Sequence, residues 1–263
     1  MKKYAPVSVV IPCYNSSHTI SRAIVSIENQ TVLPQEVILV DDCSSQEYEI
    51  EYLKQVQNKS FLNIKLICLN KNVGPGVARN YGMLKSSFDY IAFLDSDDIW
   101  DRKKIEIQYN LMKDNGYFFT CHGTCDISKK NNVLNHNMCY ITKINRIKML
   151  FKNYVATRTV MIHKSLVSIS IFNDKLRYSE DYYLWLEYLA NGIDIYYIDD
   201  TLAYTFGNIF RKGLSSNLKN MYIGEIKTIC RQKVVSSILI KFLLISWVTI
   251  KMFRRVILCF LKH

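Results

Sequence analysis

The stretch that decides the fold is "DYIAFLDSDDIW", Asp89 to Trp100. A short apolar run, Tyr90 to Leu94, passes directly into three carboxylates, Asp95, Asp97 and Asp98. Unbroken apolarity over so few residues describes a strand covered on both faces. Like charges gathered where such a strand ends cost free energy unless a cation or a set of donors answers them. The sequence therefore calls for a positive partner at this strand end.

Three similar runs precede it: "VSVVI" (Val7–Ile11), "EVILVD" (Glu36–Asp41) and "IKLICL" (Ile64–Leu69). Helical patterns alternate with them. After Ser16 and Ser17, read as N-caps, Ile20, Ala23, Ile24 and Ile27 form an i, i+3, i+4, i+7 stripe. A second helix is expected over Glu47–Gln57, and a third from about Gly76, carrying Ala78, Tyr81 and Leu84. Strand and helix in alternation at this spacing predict βαβ units, hence an α/β fold with a mostly parallel sheet. Ligands of such sheets bind beyond the carboxyl ends of the strands. All four ends are polar here: "PCYN", "DDCSS", "NKNVGPG" and "DSDD".

From Arg102 to about Tyr204 the pattern is less regular. It holds an amphipathic helix with Ile105 and Met112, the strand-like "GYFFTCHGTCDI", a helical "EDYYLWLEYLANG" stopped by Gly192, and the strand-like "IDIYYID". The tail differs in kind. "VVSSILIKFLLISWVTI" has one charge, Lys241, and Val234–His263 carries five Lys/Arg and no acid. Seventeen residues are short for a membrane span. A basic, tryptophan-bearing helix lying in a membrane interface fits better; the plainer alternative is a helix packed on the domain's own surface.

Composition narrows the classes. With 263 residues, 49% hydrophobic, 9 Gly and 4 Pro, the chain is globular rather than disordered. The 8 cysteines follow no small-domain disulfide framework, and Pro12 and Asn15 interrupt the apolar N-terminal run before any cleavage signal. A cytoplasmic chain with reduced thiols is expected. The net charge of +11 invites nucleic acid, anionic lipid or phosphorylated substrates. Part of the excess lies in an apolar tail and no recognition motif is present, so nucleic acid is not the expected partner.

Each polar motif has a plain reading beside its chemical one. Asp95, Asp97 and Asp98 serve either as cap and first-turn acids or as ligands of a hard divalent ion, Mn²⁺ or Mg²⁺. One aspartate fits a cap; three behind a buried strand fit a metal better. Asp41 and Asp42 either cap the next helix or hydrogen-bond a base or ribose. The glycines of "NVGPGVARNYG" lack dinucleotide-fingerprint spacing and do not follow the first strand, which excludes a nicotinamide oxidoreductase. Arg79, one turn into that helix, either faces a diphosphate or forms a structural ion pair. "CHGTC" has zinc-binding atoms but no second pair to complete four ligands, so a core strand is expected. Glu180 and Asp181 open an apolar helix whose acidic end points into a cleft. "TFGNIFRKGLSSN", with Arg211 and Lys212, is either a solvated linker or a lid whose cations cover a phosphate.

In this order and spacing, "VSVVIPCYN", "SIENQT", "EVILVDDCSS", "NVGPGVARNYG", "YIAFLDSDDIW" and "SEDYYLWLEYLANG" resemble glycosyltransferase family 2, the inverting nucleotide-sugar transferases with the GT-A fold. The resemblance runs from Val7 to about Ser216 and leaves out the tail. It implies a nucleotide-sugar-binding half over residues 1–98 and an acceptor-binding and catalytic half over 99–216; residues 217–263 are read from their own composition as a basic amphipathic, membrane-associating tail. It implies that Pro12 and Tyr14 line the nucleotide pocket, that Asp42 or Asp41 contacts uracil, and that Asp95 lies near the ribose. Asp97 and Asp98 would hold Mn²⁺ or Mg²⁺ on the diphosphate, Arg79 or Arg211 with Lys212 would share its charge, and Asp181 would be the general base. Relatives of this size with basic tails imply a UDP-hexose donor, glucose or galactose, and a β-linkage. They imply as acceptor a GlcNAc- or GalNAc-diphospho-undecaprenol, used for O-antigen or capsule at the cytoplasmic face of a bacterial inner membrane. An anionic membrane surface is then the expected partner of the tail.

Overall fold

The structure is a computed structural model that describes residues 2–129, 140–206, 217–235 and 237–260. In chain order the elements are β1 (Lys3–Cys13), α1 (Ile20–Glu28), β2 (Val32–Asp41), α2 (Glu47–Lys59), β3 (Ile64–Cys68), α3 (Pro75–Lys85), β4 (Tyr90–Phe93), β5 (Ile99–Trp100), α4 (Lys104–Asn115) and β6 (Phe119–Asp126). There follow β7 (Ile141–Lys143), α5 (Arg146–Phe151), β8 (Met161–His163), α6 (Glu180–Ala190), β9 (Tyr196–Thr205), α7 (Leu218–Arg231) and α8 (Ile238–Phe260).

The strands form one sheet in the order β3-β2-β1-β4-β8-β6-β9-β5, with β7 on β9. Its first half, β3-β2-β1-β4, is parallel throughout, as the alternation predicts. Beyond β4 the sheet is mixed: β8 runs antiparallel to β4 and β6, β5 and β7 run antiparallel to β9, and β6 and β9 are parallel. The break in pattern explains why the middle of the sequence reads less regularly.

Side chains alternate across β1. Val7, Val9 and Ile11 join the core beneath α1, α2 and α4, while Val10 joins the opposite core with Phe93, Phe119 and Trp185. Each fully buried aliphatic side chain contributes about 1.5–3 kcal/mol by leaving water. The α1 stripe of Ile20, Ala23, Ile24 and Ile27 is buried as its period requires. The stripe expected for α3 is corrected. Tyr81 and Leu84 are exposed, and the buried face is Gly76, Ala78, Arg79, Asn80, Gly82 and Met83. Small residues are needed because α3 lies almost on β1: a Cβ at Gly82 would sit 2.3 Å from Val10 Cγ1. The caps expected at Ser16 and Ser17 are also corrected. The Ser16 carbonyl accepts from the Thr19 and Ile20 amides, while Ser17 N and Oγ both donate to the Glu49 carboxylate on α2. Tertiary tethering of the loop has taken the hydroxyl that local capping would use.

The "CHGTC" segment lies in β6, where the consecutive Cys121 and His122 are both buried and point to opposite faces. Among the described residues no group of three or more metal-ligating side chains converges. The tail is a helical pair rather than a single extension. Ile229 and Val235 pack against Leu244 and Val248, fastening α8 to α7. No helix among the described residues is long and apolar enough to cross a membrane.

Lys104 is an unexpected core member. Its side chain is fully buried, its Nζ has no hydrogen-bond partner, and it lies 3.7 Å from the Trp100 ring centroid. Burial holds its pKa well below the usual 10.5. Between that depressed value and about 10.5 the fold binds fewer protons here than the unfolded chain, so this group's contribution to stability grows as pH rises through that window. Lys104→Met is expected to stabilise the fold by about 1–3 kcal/mol at neutral pH and to flatten the alkaline rise. Chemical denaturation at neutral and alkaline pH reads both effects, and a destabilised variant would contradict them.

Candidate active site

The parallel half of the sheet brings its polar strand ends to one side. Pro12 is buried at the end of β1, in register with Val40, and Tyr14 follows it half exposed. Asp41 and Asp42 close β2, both buried. The Asp41 carboxylate accepts from Ser44 N (3.1 Å) and Ser44 Oγ (2.5 Å). Asp42 accepts from the amides of Val73 (2.7 Å) and Gly74 (2.8 Å), tying down the loop before α3. Gly74 takes φ +88° there, a conformation that L side chains rarely adopt. Burial raises the Asp42 pKa, opposed by those two amides.

The three aspartates after β4 diverge in environment. Asp97 is exposed, and its backbone carbonyl accepts from Arg22 Nη2 at 2.7 Å. Asp98 is 4% exposed and meets Arg158 Nε at 2.6 Å. Asp95 takes Arg79 Nη2 at 2.7 Å and lies 3.7 Å from Arg158 Nε. The two arginines outweigh burial and hold the Asp95 pKa below its ordinary value. Asp98 is pushed up to about 8, chiefly by burial, with Asp95 and Asp97 adding repulsion and Arg158 opposing it. This carboxylate is short of positive charge even with Arg158 beside it.

On the other side of the cleft stands the N-terminus of α6. Arg79, on α3, reaches Glu180 Oε1 at 3.4 Å through Nη1 while Nη2 holds Asp95. Of the two roles open to Arg79 in the sequence, the geometry shows the ion pair. Glu180 is pushed up to about 7 by burial and by Asp181. Asp181 accepts from Asn153 Nδ2 (3.4 Å) and Thr157 Oγ1 (3.2 Å) through Oδ2, and from Tyr182 N (2.7 Å) through Oδ1. Its pKa is raised, by burial first, against those donors and Arg79. Helix α6 favours negative charge at this end, which lowers the cost of keeping both acids here.

One arginine therefore joins the strand-end acids to the acidic helix start, across 101 residues of sequence. The sequence singles out Asp95, Asp97, Asp98, Arg79 and Asp181, but not Arg158, Arg22, Asn153 or Thr157. Arg158 sits in "ATRTV", which matches no motif, and only the pairing of β8 with β4 brings it under Asp98. Arg211 and Lys212 lie outside the described residues.

The donor set suits a hard divalent cation. Asp97 is open on one side and Asp98 is undercompensated, and ions such as Mn²⁺ and Mg²⁺ take one or two carboxylates together with phosphate oxygens and water. No third protein ligand is needed when a diphosphate supplies the remaining oxygens.

Comparison with known proteins bears on the family and the fold. The family model "Glycosyl transferase family 2" matches residues 8–174. The chain is 34% identical over 186 residues to the UDP-Glc:alpha-D-GlcNAc-diphosphoundecaprenol beta-1,3-glucosyltransferase WfgD of Escherichia coli, covering 71% of this chain and 70% of that one. In fold it is similar to S. aureus TarS 1–349 in complex with UDP-GlcNAc, with a TM-score of 0.67 and 19% identity over 93% of this chain and 70% of that one. It spans 40% of a longer TarS chain. The mannosyltransferase PcManGT from Pyrobaculum calidifontis, in complex with GDP-Man and Mn²⁺, gives a TM-score of 0.66 at 14% identity, covering 86% of this chain and 63% of that one. These likenesses establish a GT-A fold.

The buried pairing sets a stability test. Arg79→Met leaves buried Glu180 without its cation and half-buried Asp95 with only Arg158 at 3.7 Å, and is expected to cost about 3 kcal/mol or more near pH 8. The cost shrinks toward pH 5, because the orphaned carboxyls take up protons in the fold. Urea unfolding at the two pH values measures this; an equal, small loss at both would remove Arg79 from its structural role.

Proposed function

Because the chain belongs to glycosyltransferase family 2, we propose that it transfers a hexose, glucose or galactose, from a UDP-sugar to a sugar carried on polyprenyl diphosphate. The acceptor is GlcNAc- or GalNAc-diphospho-undecaprenol, and the product is a β-linked unit of a bacterial surface polysaccharide of the O-antigen or capsule type. The observation that carries the reading is the Arg79 bridge, which ties the strand-end aspartate cluster, through Asp95, to buried Glu180 at the start of α6, next to the half-buried Asp181. The donor and acceptor chemistry is supported by the likeness to WfgD, whose name specifies UDP-Glc and GlcNAc-diphosphoundecaprenol.

In this reading Pro12 and Tyr14 flank the base, and Asp42, or Asp41 beside it, meets the uracil. Asp95 orients the ribose with Arg79 holding it in place. Asp97 and Asp98 would hold Mn²⁺ or Mg²⁺, which when bound would supply positive charge for the departing nucleoside diphosphate. Arg211 of the 207–216 segment adds positive charge to that diphosphate. Asp181 takes the proton from the acceptor hydroxyl as that oxygen attacks the anomeric carbon from the face opposite the diphosphate, inverting the centre. A carboxylate half-buried as Asp181 is, with its pKa raised by lost solvation, is a stronger base than one in water. The enzyme works at the cytoplasmic face of the inner membrane, where both substrates meet.

Asp181→Asn tests the assignment. The amide keeps the shape and one acceptor oxygen, but it loses the charge and cannot accept the proton. Transfer from UDP-glucose or UDP-galactose to a GlcNAc-diphospho-lipid should fall by about 10²-fold or more, while UDP affinity stays within about twofold. Near-normal turnover, or lost UDP binding, would remove Asp181 from the role of base.

A further inference from the structure

Helix α8 is 23 residues long, about 35 Å, and only one side of it is used by the fold. Leu244 and Val248 are buried against α7. Glu225 of α7 takes Lys251 at 2.5 Å and Arg255 at 3.4 Å, which fixes the helix's rotation. The opposite side is apolar and uncovered. Leu239, Phe242, Leu243, Ile250, Phe253 and Ile257 are each 56–69% exposed, and their spacing places them on one stripe. So large an apolar face is costly in water and marks a surface that meets something apolar.

This face continues onto α5. Trp247 flanks the stripe, meets Phe151 edge-to-face at 6.1 Å, and donates from Nε1 to the Phe151 carbonyl at 3.1 Å. On the same side of α5 as Phe151, Ile147 is exposed. The surrounding charge has one sign. Helix α8 carries Lys241, Lys251, Arg254 and Arg255 and no acid, and exposed Lys148 and Lys152 lie on and just after α5. Glu225 holds Lys251 and Arg255 on the α7 side, and a second copy of this chain seated on the stripe would set the remaining cations, Arg254, Lys148 and Lys152, against their own kind. An anionic lipid surface answers both the apolar stripe and the cations.

The surface is also wired to the catalytic centre. Tyr182 Oη is within 2.7 Å of the Met149 carbonyl and 2.9 Å of the Leu150 carbonyl, pinning the end of α5 to the first turn of α6. Two residues beyond Phe151, Asn153 donates to Asp181, and Thr157 does so four residues later. We propose that the exposed face of α8 together with α5 docks on an anionic bilayer, holding the Asp181 side of the cleft at the lipid surface where a lipid-borne acceptor is presented. The link to an acceptor rests on the transferase reading above; the docking surface does not.

The test is co-sedimentation of the purified full chain with vesicles of phosphatidylglycerol and phosphatidylethanolamine, and with phosphatidylcholine alone. The chain is expected to bind the anionic vesicles, to bind phosphatidylcholine weakly, and to lose binding as salt is raised. Phe242→Ser with Phe253→Ser should lower partitioning about tenfold or more. Ile250→Ser, a milder change on the same stripe, should lower it in the same direction if the double variant fails to fold. UDP affinity with Mn²⁺ should be unchanged in every folded variant. A full chain that stays in solution, a folded variant that binds as the parent does, or a dimer in light scattering that the serine variants dissociate would each overturn the proposal. Vesicle binding without any nucleotide binding would leave the docking surface standing and sink the transferase reading instead.

Discussion

The guanidinium of Arg79 is the constraint on which the rest of the site depends. It is buried, and its two terminal nitrogens are divided between Asp95 at the end of β4 and Glu180 at the start of α6. An arginine in that position costs desolvation energy that only well-placed carboxylates offset. Glu180 is tolerable in the interior because Arg79 is there, and Asp95 because Arg79 and Arg158 both face it. The three groups specify one another, and the two halves of the cleft cannot be positioned independently.

The backbone around this bridge is shaped to allow it. Helix α3 delivers Arg79 because Gly82 lets it approach β1, and because Asp42 holds the turn at Val73 and Gly74 from which the helix starts. On the other side, a Cβ at Gly76 would sit 2.6 Å from Glu180 Cγ, so the first turn of α3 makes room for the acid that Arg79 reaches. Glycine is used here for proximity, which a sequence does not announce. Arg158 then occupies the remaining ground, against Asp98 and within reach of Asp95. Two arginines face three strand-end aspartates, and burial, with repulsion from Asp95 and Asp97, raises the pKa of Asp98 against Arg158. Under the proposed reading, a divalent ion arriving with the donor offsets that repulsion.

The parallel half of the fold was readable because its strands are buried on both faces and its helices keep their period. The end of each strand announced itself by a switch to polar residues, which placed Asp42, Asp95, Asp97 and Asp98 on one side before any coordinates. What could not be read was whatever depends on one segment meeting another far along the chain. Tyr81 and Leu84 fit a helical stripe, yet close packing at Gly82 turned the buried face elsewhere. Ser17 had the chemistry of a cap but was recruited by Glu49. Arg158, Asn153 and Thr157 belong to no local pattern; they reach the site only through the antiparallel strand β8 and the turn before it. The tail showed its apolar and basic character in sequence, whereas its pairing with α7 and its junction with α5 required the fold.

The central claim is that the strand-end acids form a metal-dependent site for a uridine diphosphate group. Calorimetric titration of UDP, GDP and CDP into the purified chain, with Mn²⁺ and again with EDTA, tests it directly. The account predicts that UDP binds with Mn²⁺ present, that binding is lost in EDTA and in Asp98→Asn, and that GDP and CDP bind more weakly. Absence of nucleotide binding with the metal present, or UDP binding indifferent to both EDTA and Asp98→Asn, would contradict it.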